Sequence, residues 1–156
     1  SQYLRRLFLN DDLSEGRYPV GGKPVSLGDI SVPVFGVGTV TDHVAPWRSV
    51  HKLHFETAAE ITFVLTSGGH NAGIVSEPGH PHRSYQILTR PAGGPYLGPE
   101  EWVGAAPRRQ GSWWTEWLAW LQARSGDPGA LPRMGAPAKG YKVLTDAPGS
   151  YVLQKA

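Results

Sequence analysis

Two residues of this sequence are placed to do acid–base chemistry, Asp42 and His70. Each stands just past the end of an apolar, β-branched run, residues 30–40 for the aspartate and 60–66 for the histidine. As adjacent parallel strands, the two runs carry both side chains to one edge of a sheet, where open α/β sheets gather ligands and catalytic groups. A carboxylate at that edge bonds one imidazole nitrogen and fixes its tautomer, which leaves the other nitrogen as a general base. Gly68 and Gly69 permit the tight turn that such an exposed histidine requires. The competing reading is a turn aspartate and an unrelated loop histidine, and pattern alone leaves both open.

The remaining candidates carry less. His43 directly follows Asp42 and is read as structural. His51 and His54 share a helical face with Trp47 and Val50, which favours half-buried packing. His80 and His82 lie beside Pro78 and Pro81 with no third ligand at informative spacing, so no metal is expected. The chain has no cysteine, which removes disulfides, thiolate metal ligands and a thiol nucleophile from it. No G-x-S-x-G elbow presents a serine, and Ser67 stands too close before His70 for the usual geometry. Aspartate followed by histidine is the order found after the nucleophile in α/β-hydrolases.

The elements that must position the pair are short. Residues 3–10 space Tyr3, Leu4, Leu7 and Phe8 as one face of an amphipathic helix. Gly22-Lys23-Pro24 reads as a turn rather than a phosphate loop. The run 30–40 is almost wholly apolar, with Pro33 tolerable near a strand start. A helix follows from Pro46 and ends before Glu60, and the second strand makes one βαβ unit over about residues 30–67. Residues 83–88 suggest a third, more exposed strand. A Trp-rich helical extension covers about residues 99–126, one helix starting at Pro99 and another capped by Ser112. In the second, Trp113, Trp117, Trp120 and Leu121 form a stripe expected to pack as core. A tail, residues 127–156, is a Pro/Gly linker followed by a short strand or extended segment. The whole is expected to be a single partial catalytic domain, α/β in class, with a short, mostly parallel sheet and flanking helices.

Composition excludes several partners. The chain has 156 residues, of which 40% are hydrophobic and 18% charged, so a packed core is expected despite 20 Gly and 14 Pro. A formal net charge of +2 with no basic cluster denser than a pair such as Arg108-Arg109 does not suit nucleic-acid binding. No apolar run reaches the roughly 18–20 residues of a spanning helix, and the N-terminus carries no signal-peptide core. A cytoplasmic protein is expected.

Four motifs in chain order resemble the C-terminal part of the polyhydroxyalkanoate synthases. Thr41-Asp42-His43-Val44-Ala45-Pro46-Trp47 is similar to a DHI-x-PW motif. Ser67-Gly68-Gly69-His70-Asn71-Ala72-Gly73-Ile74-Val75 is similar to sGHiaGiv, with Ser76-Glu77-Pro78 where Asn-Pro-Pro is common. Gly111-Ser112-Trp113-Trp114, Trp117 and Trp120-Leu121 resemble GSWW-x-x-W-x-x-WL, and Ala147-Pro148-Gly149-Ser150-Tyr151-Val152 resembles a terminal APG-x-YV. The departures are Asn71, where an aliphatic residue is usual, and Gly69.

The resemblance implies the C-terminal portion of an α/β-hydrolase fold with a Cys-His-Asp triad. It implies polymerisation of (R)-3-hydroxyacyl groups from coenzyme A thioesters into polyester granules. Asp42 matches the family's aspartate and His70 its histidine, while the cysteine has no counterpart. No cofactor is implied, coenzyme A entering only as part of the substrate. The chain alone is expected to be inactive, and to pair either with an N-terminal catalytic portion or with a second copy. The alternatives are a non-catalytic module that binds granules or a complete synthase through its Trp helix, and a free-standing hydrolase using Ser67.

Overall fold

In the computed structural model, which describes residues 1–155, the chain divides into two compact units, Ser1–Arg124 and Ser125–Ala156. The first unit opens with a wide turn of helix at Leu4–Leu9, closed by Asn10 N–H donating to the Arg5 carbonyl five residues back. Its expected apolar face stays in solvent: Tyr3, Leu4 and Phe8 are all exposed. A two-stranded hairpin follows, β1 (Tyr18–Val20) and β2 (Lys23–Val25). Its turn is Gly21-Gly22, both in the left-handed region, one residue earlier than the composition suggested.

The main sheet has four strands: β3 (Val34–Thr39), β4 (Ile61–Thr66), β5 (Ser84–Arg90) and β6 (Arg108–Gln110). They lie in the order β3-β4-β5-β6. Pro33 sits just ahead of β3, where its missing N–H costs no ladder bond. Between β3 and β4 run α1 (Trp47–His51) and α2 (Leu53–Glu56), two short helices in place of the single expected one. β3 and β4 pair in parallel, with Val34 opposite Ile61 and Thr39 opposite Thr66.

The expectation of a mostly parallel sheet is corrected by the other two pairings. β4 with β5, and β5 with β6, are antiparallel. A parallel return needs a crossover along the sheet, usually a helix. Residues 67–83 contain Gly68, Gly69, Gly73, Pro78, Gly79 and Pro81 and form no helix. The loop therefore stays at one end of the sheet and re-enters directly, Ser67 N–H donating to the Ser84 carbonyl at 2.8 Å.

β4 is buried along its whole length, and the two faces of the sheet are covered separately. Ile61, Phe63 and Leu65 pack with Trp47 of α1 and with Trp102 of α3 (Pro99–Ala105). Val64 faces the other way, toward Tyr85 and Trp113, with Phe35 and Val37 of β3 alongside. Trp113 introduces α4 (Trp114–Gln122), where the Ser112 hydroxyl accepts the Trp114 N–H at 3.1 Å. The aromatic stripe is divided: Trp113 is buried, whereas Trp117 and Leu121 are exposed.

The core holds two histidines. His51 and His54 lie with ring centroids 4.6 Å apart and are 1% and 5% exposed. Burial, then the neighbouring His51 and Arg90, lower the His54 pKa from 6.5 to about 4, and burial also lowers that of His51. An imidazole that resists charging when folded stabilises the fold above its unfolded pKa, and that contribution is lost as pH falls toward the folded value. His54 alone is expected to cost about 2 kcal/mol of stability between pH 7 and 5. Urea unfolding against pH checks this, and His54→Leu should flatten the slope; an unchanged slope would exclude the group.

The second unit has no strand longer than one bridge among its described residues. Ala136 and Tyr141 pair across the turn Pro137–Lys139, and another turn spans Tyr151–Leu153. The tail is thus mainly irregular rather than a strand.

Candidate functional site

The parallel pair delivers Asp42 and His70 to the same end of the sheet. Thr39 and Thr66 are the last paired residues, so the aspartate follows its strand by three positions and the histidine by four. Beyond the strands the contact continues: Val40 N–H donates to the Thr66 carbonyl at 3.0 Å and Thr41 N–H to the Gly68 carbonyl at 3.1 Å. The two loops are thereby joined.

Asp42 is held before it meets the histidine. Its Oδ1 accepts the backbone N–H of Val44 at 2.8 Å and of Ala45 at 2.9 Å, an aspartate turn that leads into α1. Its Oδ2 lies 2.9 Å from His70 Nδ1. The Asp42 side chain is 7% exposed and that of His70 48%. The Ala45 N–H, with the His70 bond and the Val44 N–H, outweighs desolvation and lowers the Asp42 pKa from 3.8 to about 2. The carboxylate is therefore ionised at neutral pH and can only accept, so His70 donates from Nδ1. In the neutral imidazole this leaves the lone pair on Nε2, and among the described residues nothing bonds to that atom.

The histidine loop depends on two close backbone approaches. Gly68 has φ +104°, and a Cβ there would lie 2.9 Å from the Gly73 nitrogen. A Cβ on Gly73 would lie 2.6 Å from Thr39 Cγ2. Gly69, by contrast, has only Thr41 atoms nearby, at 3.6 Å or more. A cleft of about 550 Å³ opens beside these loops, lined among others by Thr41, Ser67, Gly68, Tyr85, Arg48 and Arg108. Arg48 is paired with Glu100 at 2.6 Å, and Arg108 donates to the Ser84 hydroxyl at 3.1 Å. A second, mainly apolar cavity of about 320 Å³, near Leu88 and Arg90, lies at the opposite end of the sheet.

The other histidines stay apart from the pair. His43 is exposed, His51 and His54 are in the core, and His80 bonds Arg83 and the Pro81 carbonyl. The Ser67 hydroxyl accepts the Ser84 N–H at 3.1 Å and makes no bond to His70. Sequence reasoning missed the two N–H groups that hold Asp42 Oδ1. The signal was present as an aspartate three residues ahead of Ala45-Pro46, a spacing suited to side-chain capping of a turn. Among the described residues no helix is long and apolar enough to cross a membrane.

No protein-family model matches the chain. Curated proteins do. The chain is 38% identical over its whole length to a poly(3-hydroxyalkanoate) polymerase of Methylorubrum extorquens, covering 25% of that protein. It is 36% identical, over 99% of its length, to a poly(3-hydroxyalkanoate) polymerase subunit of Cupriavidus necator, covering 26% of it. It is also 36% identical, over 87% of its length, to poly(3-hydroxyalkanoate) polymerase 2 of Ectopseudomonas oleovorans, covering 23% of that protein. The chain spans about a quarter of the length of these relatives.

Proposed function

We infer, from the premise that this chain is a homologue of the poly(3-hydroxyalkanoate) synthases corresponding to a C-terminal portion of them, that it supplies the acid and base of a polymerising acyltransferase. The observation that carries this reading is the Asp42–His70 bond at the shared end of two parallel strands. The nucleophile is a cysteine outside this chain, as the family resemblance implies, and the fold is the corresponding part of an α/β-hydrolase.

In this reading His70 Nε2 takes the thiol proton, and the thiolate attacks the carbonyl carbon of an (R)-3-hydroxyacyl coenzyme A thioester. The coenzyme A sulfur leaves with the proton from His70, and the acyl group remains on the cysteine. His70 then accepts the proton of a 3-hydroxyl as that oxygen attacks the bound acyl group, which lengthens the polyester by one unit and frees the thiol. Asp42 holds the productive tautomer and stabilises each imidazolium. β3 ends the sheet, with one edge unpaired by any described strand, and the strand leading to the cysteine docks there.

The test uses a chimaera in which this segment replaces the aligned part of the Cupriavidus necator polymerase subunit. His70→Ala is expected to abolish coenzyme A release from 3-hydroxybutyryl coenzyme A. Near-normal release from that variant would sink the assignment. One observation favours a second role beside this one: α4 exposes Trp117, Leu118 and Leu121, an apolar face suited to a polyester granule surface. Granule binding that survives replacement of Trp117 and Leu118 by Ser would dismiss it.

A further inference from the structure

The loop that carries His70 is gripped by three consecutive residues that lie about forty positions later. The indole N–H of Trp113 donates to the Gly73 carbonyl at 3.0 Å, and that of Trp114 to the Ile74 carbonyl at 2.9 Å, each 40 residues away. The Ser112 hydroxyl donates to the Ser76 carbonyl and accepts the Trp114 N–H. Within the loop, Gly73 N–H donates to the Gly69 carbonyl at 2.9 Å, and the N–H groups of Ile74 and Val75 to the Asn71 carbonyl. The residues flanking His70 on both sides are therefore bonded to the stretch that the three donors hold.

Trp113 also reaches the aspartate's side of the site. Its ring stacks on Phe35 at 6.3 Å, and Phe35 is in β3, the strand that leads to Asp42. One side chain, 4% exposed, thus touches the support of the acid and bonds the loop of the base. The Gly73 and Ser76 carbonyls accept their bonds in the interior, where a lost donor is costly, whereas the Trp114–Ile74 bond lies at the surface.

We propose that Ser112, Trp113 and Trp114 are positioning residues for His70, clamping its loop so that Nδ1 stays on Asp42 and Nε2 stays aimed at the reacting thiol. The inference rests on the reading of His70 as the base, but it is tested without any catalysis. A clamp of this kind fixes an angle, whereas an ordinary core contact contributes stability alone. Trp114→Phe keeps an aromatic ring and deletes the donor. Ser112→Ala deletes the hydroxyl and Ser112→Thr restores it. Trp120→Phe is the control, because Trp120 packs on Phe35 and Arg124 and bonds no part of the loop.

The experiment is nitrogen-15 and proton NMR of the Cupriavidus necator chimaera, isotope-labelled in this 156-residue segment alone, reading the His70 tautomer, its Nδ1 proton and amide exchange in the loop. In the unsubstituted chimaera His70 should be the Nδ1–H tautomer with a downfield, slowly exchanging proton. In Trp114→Phe and Ser112→Ala that proton should broaden and the Nε2–H tautomer should appear. Amides of Gly73 and Val75 should exchange about five- to tenfold faster, as expected for loss of one hydrogen bond. Ser112→Thr and Trp120→Phe should retain the native signature. Native tautomer and exchange in both donor-deleted variants would overturn the clamp, and so would equal disturbance in Trp120→Phe. If Trp114→Phe fails to fold, the Ser112 pair decides alone. Absence of the Nδ1 proton from the unsubstituted chimaera would overturn the acid–base pairing itself, a result distinct from loss in the variants only.

Discussion

Asp42→Asn is expected to lower turnover of a polymerase carrying this segment about ten-thousandfold with the fold intact. The reason is the direction in which an amide must sit. Oδ1 of Asp42 accepts two backbone N–H groups, from Val44 and Ala45. An asparagine can meet both only with its oxygen, which forces its NH2 group into the place of Oδ2, opposite His70 Nδ1. Two donors cannot face each other, so the ring moves its proton to Nε2 and presents no lone pair to a thiol. The imidazolium formed during the reaction also loses its carboxylate. Coenzyme A release measures the loss, and nitrogen-15 shifts of His70 report the tautomer. Turnover within tenfold of the unsubstituted protein, or a proton retained on Nδ1, would contradict the account.

Gly73→Ala is expected to be the most damaging small substitution in the site. Its Cβ would lie 2.6 Å from Thr39 Cγ2, 2.9 Å from Thr39 Cβ and 3.0 Å from the Ser67 carbonyl oxygen. None of these atoms belongs to the free end of a flexible side chain. Thr39 is 2% exposed, on a strand paired in register with β4, so the loop must move instead. The expected cost is about 3 kcal/mol, at the upper end for overpacking, together with displacement of His70 from Asp42. Thr39→Ala in the same chain relieves the shortest contact and should recover part of the stability. Gly104→Ala provides the contrast: no atom lies within 4 Å of its Cβ, and it is inside α3. There, alanine should add about 0.5–1 kcal/mol through helix propensity. Denaturant midpoints of the three variants measure this, and equal stability of Gly73→Ala and the native chain would refute the crowding.

The same distances explain what was legible in the sequence. β3 and β4 were readable because strands covered on both faces become continuous apolar runs, and their ends marked Asp42 and His70. The direction of β5 was not readable, because it depends on whether residues 67–83 can cross the sheet, a property of the loop rather than of the strand. β6 is Arg108-Arg109-Gln110, three exposed polar residues with no apolar run to mark a strand, joined to β5 by backbone pairing and by the Arg108–Ser84 side-chain bond. β1 contains Pro19 and β2 contains Pro24, which argue locally against strands, yet a two-residue glycine turn suffices to pair them. The helical spacing of Tyr3, Leu4, Leu7 and Phe8 was sound as periodicity, but nothing among the described residues buries that face fully. The Trp motif showed its spacing and withheld its purpose. Indole N–H donors aimed at carbonyls 40 residues away leave no periodic signature.

The central claim is that His70 acts on a cysteine supplied from outside this chain. Its most direct test is the rate at which iodoacetamide alkylates the catalytic cysteine of the Cupriavidus necator chimaera at neutral pH, with and without His70→Ala. A base that draws off the thiol proton raises the thiolate fraction, and the thiolate is the species that reacts. The account predicts alkylation at least about tenfold slower in His70→Ala, with the difference vanishing at high pH where the thiol ionises unaided. Equal rates at neutral pH in the two folded proteins would contradict it.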